Sequence, residues 1–232
     1  MRKEELLSST DNRYLKENNS QSITKTLFKN NKALTFSSGT TTVGLVCKDA
    51  VVLGTDRRAT MAYFIASKIA KKLHKIQEHL WMTIAGSVAD AQYLIDVIRA
   101  QSTIYQLQKE KPIPIKTAGK LLSNFLYRNK MFPFEVGLIL GGITKEEGPT
   151  LLDIGAYGSI LPEKYVAIGS GQNFSYGVLE AKFKDNLSIE EGKKLVRTAV
   201  KSSILRDIAS GNGIDIVVIK AEGPTEEEFI SV

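Results

Sequence analysis

Two kinds of hydrophobic periodicity divide the chain into strands and helices. Short apolar, β-branched runs predict strands, and longer stretches with apolar residues every three or four positions predict helices. The predicted strands span residues 41–47, 50–55, 71–76, 80–85, 135–141, 150–156, 165–168 and 214–220. The predicted helices span residues 88–108, 115–129, 171–180 and 188–210, and a capping box between Ser188 and Glu191 opens the last one.

The order of these elements indicates a fold class. Strands come first, and they are followed by two helices, more strands, two further helices and a final strand. This order predicts an α+β domain in which two antiparallel sheets pack face to face between helix pairs, a four-layer αββα sandwich. We assign residues 40–221 to this domain and expect residues 222–232 to form an acidic, flexible tail.

Residues 1–39 differ from the rest of the chain and are interpreted as a leader with weak structure of its own. They are rich in Asn, Ser, Lys and Thr and lack a core pattern. At their end, Gly39 precedes Thr40 and an apolar strand, which suggests a cleavage point. Cleavage there would give Thr40 a free α-amine beside its hydroxyl, so that one residue carries both a base and a nucleophile. A Gly-Thr dipeptide at a strand start is common, so this interpretation depends on residues downstream.

The composition predicts a globular protein without a membrane helix or a secretory signal. The 232 residues are 43% hydrophobic and 24% charged, which is ordinary for one globular domain. The sequence has no apolar run long enough for a membrane helix and no secretory signal at its start. Its single cysteine, Cys47, fits a buried thiol in a reducing compartment, and we therefore expect a cytoplasmic protein.

The net charge of +6 does not indicate nucleic-acid binding. Residues 1–39 carry seven basic and four acidic side chains, so about half of the excess lies in the leader. The remainder has no basic strand interleaved with aromatic residues, and neither nucleic acid nor a membrane is expected as a partner. His74 and His79 have no companion ligands at metal spacing, so we expect no metal and no cofactor.

From Gly39 to Lys220 the sequence resembles the β-type subunits of the proteasome core particle, specifically the archaeal kind. Each motif is weak alone, but together and in order they are specific. They are Gly39-Thr40-Thr41-Thr42-Val43-Gly44, Lys48-Asp49-Ala50-Val51-Val52, Thr55-Asp56-Arg57-Arg58, Lys71-Lys72-Leu73, Met82-Thr83-Ile84-Ala85-Gly86, Gly169-Ser170-Gly171, Tyr176-Gly177-Val178-Leu179-Glu180, and Arg206-Asp207 with Ser210-Gly211.

The resemblance implies a threonine endopeptidase of the N-terminal nucleophile hydrolase superfamily, made as a zymogen that cleaves itself between Gly39 and Thr40. The implied roles are Thr40 as nucleophile, Asp56 and Lys72 as its flanking acid and lysine, Gly86 as the oxyanion donor, Ser170, Asp207 and Ser210 as supports for the amine and its water, and Arg58 as a structural arginine. The chemistry agrees, because a hydroxyl needs a base near neutral pH and a protonated Lys72 would lower the pKa of the amine.

Without the resemblance, several of these residues could have ordinary structural roles. Lys72 could belong to a solvated basic face, Asp56 could be a turn residue, Ser170 a plain helix entry and Asp207 an ordinary helix acid.

The same resemblance implies a substrate pocket lined by small, aliphatic and uncharged side chains, which would favour cleavage after large hydrophobic residues. Its members are Ala59, Ala70, Ile84, Val88 and Gln92, and the backbone of Thr60 would pair with the extended substrate.

The implied partners are proteasome α subunits and other β subunits in stacked heptameric rings, an ATP-dependent unfoldase ring and unfolded polypeptide substrates. Two alternatives stay open. One is a structural β subunit that keeps its leader and contributes only ring contacts. The other is the related bacterial ATP-dependent peptidase subunit, which is disfavoured because such chains are shorter and generally lack a long leader.

Overall fold

Two five-stranded antiparallel sheets form the core of the described part of the chain. The computed structural model describes residues 39–61 and 63–232, so residues 1–38 of the predicted leader lie outside the described residues. The strands are β1 (Thr41–Val46), β2 (Ala50–Asp56), β3 (Ala59–Met61), β4 (Phe64–Ser67), β5 (Leu73–Gln77), β6 (Leu80–Gly86), β7 (Val136–Thr144), β8 (Gly148–Ile154), β9 (Ile160–Pro162), β10 (Tyr165–Gly169), β11 (Ile214–Lys220) and β12 (Glu226–Ile230). Sheet one has the order β10-β1-β2-β11-β12, sheet two has the order β5-β6-β7-β8-β9, and β3 pairs with β4 as a separate hairpin.

Two helix pairs cover the outer faces of these sheets. Helices α1 (Val88–Lys109) and α2 (Ile115–Arg128) pack on sheet two, whereas α3 (Gln172–Lys182) and α4 (Ile189–Ile204) pack on sheet one. The predicted capping box of α4 is present, with Ser188 and Glu191 each bonding the other's backbone N–H. The N-cap of α1 is Ser87, whose side chain accepts from the N–H of Asp90.

Burial on both faces explains why the central strands are apolar without alternation. In β2, Val51 and Leu53 point between the sheets and contact Trp81 and Ile139, whereas Ala50 and Val52 point toward α3 and α4. A strand covered on both sides must be apolar at successive positions, because both of its faces leave water. The predicted four-layer αββα sandwich is therefore confirmed.

Two predictions about the C-terminal part are wrong. Helix α4 ends at Ile204, not near Ser210, and residues 205–213 form a loop that ends in left-handed Asn212 (φ 65°) and Gly213 (φ 139°). The helical bonding pattern stops because the N–H groups of Arg206 and Asp207 share the Ser203 carbonyl, and the N–H groups of Ala209 and Ser210 bond Asp207 instead of the preceding turn. The tail is also not flexible throughout, because β12 pairs with β11 along the edge of sheet one. The β3–β4 hairpin and the short strand β9 have no counterpart among the predicted strands.

Two further observations concern the interior and the helices. Cys47 is buried, as predicted, and burial beside Glu191 raises the pKa of its thiol to about 11. Across residues 39–61 and 63–232, we find no helix that is both long and apolar enough to span a membrane.

Candidate active site

The topology of sheet one brings the predicted site residues to one end of β1. Thr40 lies directly before this strand, which is flanked by β10 on one side and β2 on the other. Thr41 pairs with Gly169 at the end of β10, and Thr42 pairs with Thr55 near the end of β2. Ser170, which follows β10, and Asp56, the last residue of β2, therefore lie on either side of Thr40.

Asp56 is a buried hub that joins four segments. Its Oδ1 accepts from the backbone N–H of Thr41 (2.9 Å) and from Nζ of Lys72 (2.7 Å). Its Oδ2 accepts from the backbone N–H groups of Arg58 (2.9 Å) and Gly211 (3.0 Å). The carboxylate has no solvent exposure, so these four donors replace its hydration. Asp56 is thus more than a turn residue.

Lys72 is buried in the site and does not belong to a solvated face. Only 8% of the residue is exposed, and Nζ also donates to the carbonyl oxygen of Gly39 at 3.3 Å. Burial lowers the pKa of Lys72, and the negative charge of Asp56 opposes that shift. The pair places a polar, proton-donating group against the Gly39–Thr40 peptide.

The Gly39–Thr40 junction is held on three sides. The Thr40 hydroxyl donates to the carbonyl oxygen of Gly39 at 2.8 Å, and the Gly39 N–H donates to the Thr60 hydroxyl at 2.9 Å. A Cβ on residue 39 would lie 1.7 Å from Cβ of Ala209, a distance that no side chain can accept. Only glycine fits at position 39 with this backbone path.

The Ser170 hydroxyl links the Thr40 nitrogen to the carboxylate of Asp207. The Thr40 N–H donates to Oγ of Ser170 (3.1 Å), and Ser170 in turn donates to Oδ2 of Asp207 (2.6 Å). Ser210 donates to the same carboxylate oxygen at 2.6 Å. Because Ser210 has one proton, the hydroxyl of Thr41 is the donor in the 2.7 Å contact between Thr41 and Ser210.

A pocket of about 330 Å³ opens beside Thr40. All five residues predicted to line it do so, namely Ala59, Ala70, Ile84, Val88 and Gln92. The structure adds Lys71, Lys72, His74, Ala91 and Ile95 to the lining. Thr60 is not among these residues and instead binds the N–H of Gly39 through its side chain.

Gly86 lies at the pocket wall in a conformation that requires glycine. Its φ is 121°, and a Cβ there would approach the carbonyl oxygen of Glu135 to 2.0 Å. Arg58 binds the far side of the site, where its Nε donates to Asn212 (3.0 Å) and its Nη1 donates to the Ile208 carbonyl (2.7 Å). Arg58 thereby fixes the loop that carries Asp207 and Ser210.

Sequence reasoning missed three contributors to this geometry. The Thr41 hydroxyl, the Gly211 N–H and the Thr60 hydroxyl each bond a predicted site residue. Thr41 and Gly211 stand next to predicted residues, and that adjacency was the available signal. The Thr60 contact depends on the path of β3, which the sequence did not predict.

An αββα sandwich with a buried threonine at the head of an interior strand is typical of the N-terminal nucleophile hydrolase class of folds. Within that class, the model of the proteasome subunit family matches residues 36–219, and the chain belongs to this family.

Similar proteins of known identity support the same family. The chain is 47% identical to the proteasome subunit beta of Methanocaldococcus vulcanius over 80% of its own length and 83% of the relative's. It is 45% identical to proteasome subunit beta 2 of Aeropyrum pernix, with 83% and 87% covered, and 47% identical to proteasome subunit beta of Methanohalophilus mahii, with 80% and 88% covered. The chain is therefore of the archaeal β type, a subunit of the multi-subunit proteasome core.

Proposed function

We propose that this chain is a catalytic β subunit, a threonine endopeptidase that removes its own leader and then cleaves polypeptides with Thr40. The observation that carries the proposal is the environment of the Gly39 carbonyl. Its oxygen accepts from both the Thr40 hydroxyl (2.8 Å) and Nζ of Lys72 (3.3 Å). Two donors polarise the carbonyl, and one of them is also the nucleophile, so the group to be attacked and the attacking group are already adjacent.

Leader removal follows from this arrangement in two steps. Thr40 Oγ attacks the Gly39 carbonyl carbon and loses its proton, the C–N bond breaks, and the Thr40 nitrogen takes up a proton to leave an ester. Water then hydrolyses the ester, which releases Gly39 as a carboxylate and leaves Thr40 with a hydroxyl and a free amine. The missing Cβ of Gly39 supports this route, because the carbonyl must lie close to Oγ in the tight space beside Ala209.

In the mature site the Thr40 amine acts as the base. Its ordinary pKa near 8 makes it an acceptor for the Oγ proton near neutral pH. Before cleavage the Thr40 N–H bonds Ser170 at 3.1 Å, and Ser170 bonds Asp207 at 2.6 Å, so the amine formed at this nitrogen would keep the same support, which Ser210 completes. A positive charge on Lys72 favours the alkoxide of Thr40, while Asp56 orients that lysine. The Gly86 N–H is proposed as the oxyanion donor, a role typically worth about 3 kcal/mol.

The pocket beside Thr40 supports a preference for cleavage after large hydrophobic residues. Ala59, Ala70 and Ile84 give it small apolar walls, and its volume of about 330 Å³ accommodates a leucine or an aromatic ring. The cationic residues Lys71 and Lys72 also line it, so an acidic side chain is the second class to test. We further propose that the substrates are unfolded chains delivered by an ATP-dependent unfoldase ring into a barrel of stacked heptameric rings.

Peptide hydrolysis by the assembled particle tests this function. The chain is co-expressed with a matching α subunit, and fluorogenic peptides with leucine, phenylalanine, glutamate or lysine before the cleaved bond are compared. We expect hydrolysis after leucine and phenylalanine in the wild type and none in Thr40→Ala. An assembled wild-type particle without hydrolysis of any of these peptides would contradict the proposal and favour the structural, unprocessed subunit.

A further inference from the structure

We propose that the C-terminal strand β12 is a positioning element of the active site, and that Phe229 is its main positioning residue. Phe229 lies outside the pocket and outside the Thr40 contacts, but it packs on the residue that follows Asp56. The inference rests on the proposed function, because it concerns the geometry of the acid that orients Lys72.

A three-residue cluster links β12 to the end of β2. The Arg57 guanidinium binds Asp215 through both carboxylate oxygens, Nε to Oδ2 at 2.7 Å and Nη2 to Oδ1 at 2.5 Å. The centroid of the Phe229 ring lies 3.8 Å from the guanidinium carbon, so the ring covers the face of the guanidinium. Asp215 and Phe229 are direct partners in the pairing of β11 with β12, so the strand register itself builds this cluster. Arg57 is therefore held by a carboxylate at its N–H edge and by an aromatic ring over its face, an arrangement we call the Arg57 clamp.

The backbone of Arg57 carries this clamp to both members of the buried ion pair. Its N–H donates to the Gly211 carbonyl (3.2 Å), and the Gly211 N–H donates to Oδ2 of Asp56 (3.0 Å). Its carbonyl accepts from the N–H of Ala70 (3.0 Å), two residues before Lys72 and within the pocket wall. A shift of the Arg57 backbone therefore displaces both the Gly211 segment that bonds Asp56 and the Ala70 segment that leads to Lys72.

Phe229 also contacts the loop on the other side of Asp56. Gly213 has a φ of 139°, and a Cβ there would come within 2.5 Å of the Phe229 ring. The ring thus packs against the loop that carries Gly211, as well as against Arg57. Removal of the ring would therefore take a packing partner from Arg57 and from the loop at Gly213 together.

The burial pattern allows positioning to be separated from general stability. Phe229 is 49% exposed, so its removal takes little apolar surface out of the core. The strand keeps other anchors, since Glu228 pairs with Lys193 of α4 (3.2 Å) and Glu226 pairs with Lys220 of β11. We therefore expect β12 to stay paired when the ring alone is lost.

Steady-state kinetics of the assembled particle test the inference. Three variants are compared with the wild type: Phe229→Ala, Phe229→Tyr and the matched control Leu161→Ala, which truncates a 53% exposed apolar residue on the edge strand of the other sheet. The probe is a fluorogenic peptide with leucine before the cleaved bond. We expect Phe229→Ala to lower kcat about three- to tenfold with KM within about twofold, as the loss of a partly buried cation–π contact implies. Phe229→Tyr keeps the ring and should restore kcat, and Leu161→Ala should match the wild type.

The outcomes separate this inference from the proposed function. Three results would overturn the inference alone: unchanged kcat in Phe229→Ala, failure of Phe229→Tyr to restore it, or an equal loss in Leu161→Ala. A wild-type particle that hydrolyses no peptide would overturn the proposed function and this inference with it.

Discussion

Replacement of Asp56 by asparagine tests the buried hub most severely. The substitution keeps the shape of the side chain but removes its charge and turns one of its two acceptor oxygens into an amide donor. Each carboxylate oxygen of Asp56 accepts two hydrogen bonds, so the new NH₂ group faces two donors that it cannot bond. Lys72, with 9% of its side chain exposed, then has no counter-charge among these contacts.

The expected loss of stability is large compared with that of an ordinary substitution. An ion pair broken in the interior by removal of one partner typically costs about 3–5 kcal/mol. An unsatisfied buried N–H costs about 1–3 kcal/mol, and the two penalties are not additive because they share one site. We expect a loss of about 5 kcal/mol in the free energy of unfolding, which is the whole stability of a marginal domain.

The pH dependence of this loss has a defined sign. The pKa of Lys72 lies below 10.5 in the folded protein because the residue is buried, and Asp56 limits that shift. Between the folded pKa and 10.5 the unfolded chain binds more protons than the folded one, so stability rises with pH in that window. Without Asp56 the folded pKa falls further and the window widens. The deficit of Asp56→Asn should therefore shrink as the pH is raised from 7 toward 10.

Urea denaturation monitored by Trp81 fluorescence provides the assay. Trp81 is the single tryptophan and lies in the core between the sheets, so its emission reports the packing of the two sheets. All variants carry Thr40→Ala, so that leader cleavage does not differ among them. The double variant Asp56→Asn/Lys72→Met should recover part of the loss, because it also removes the unpaired charge. A loss below about 1 kcal/mol in Asp56→Asn, or a double variant no more stable than the single one, would refute the reasoning.

Three further predictions concern the junction, the pocket and the buried thiol. Gly39→Ala should block leader removal in assembled particles, because its Cβ would overlap Cβ of Ala209. Mass spectrometry reads the N-terminus, and an N-terminus at Thr40 in this variant would contradict the prediction. Ala70→Phe should fill the pocket beside Thr40 and raise KM at least about tenfold for peptides with phenylalanine before the cleaved bond. Leader removal should continue. An unchanged KM would show that the phenylalanine of the substrate binds outside this pocket. Cys47, with a pKa of about 11, should resist alkylation by iodoacetamide at pH 8 in the folded protein and react readily in urea. Equal alkylation rates in the folded protein and in urea would show that the thiol is accessible.

The sequence predicted the sheets and helix pairs of the sandwich because each of them follows from a local pattern of apolar residues. Apolar runs such as residues 50–55 show both faces of a covered strand directly, and the Ser188–Glu191 capping box marks the start of α4. The end of that helix was missed because the side chain and carbonyl of Asp207 bond the N–H groups of Ala209 and Ser210, and apolar periodicity does not report such local bonds. The acidic composition of residues 222–232 suggested a loose tail, but backbone pairing with β11 and the contact between Phe229 and Arg57 order residues 226–230.

For the site, residue types were predictable but contacts were not. The resemblance to archaeal β subunits named Asp56, Lys72 and Ser170, and the structure brings all three around the Gly39–Thr40 junction. The four donors on Asp56 lie up to 155 residues from it in sequence, and no local pattern reports such contacts. The support from Phe229 is equally non-local, since it depends on the register of β12 against β11.

The intact mass and N-terminal sequence of the chain test the central claim most directly. They are measured after co-expression with a matching α subunit and isolation of the assembled particle, beside a Thr40→Ala control. Self-cleavage by Thr40 predicts an N-terminus at Thr40 in the wild type and one at the start of the leader in the control. A leader that persists in the assembled wild type, or that is lost from Thr40→Ala when no active β subunit is present, would contradict the account.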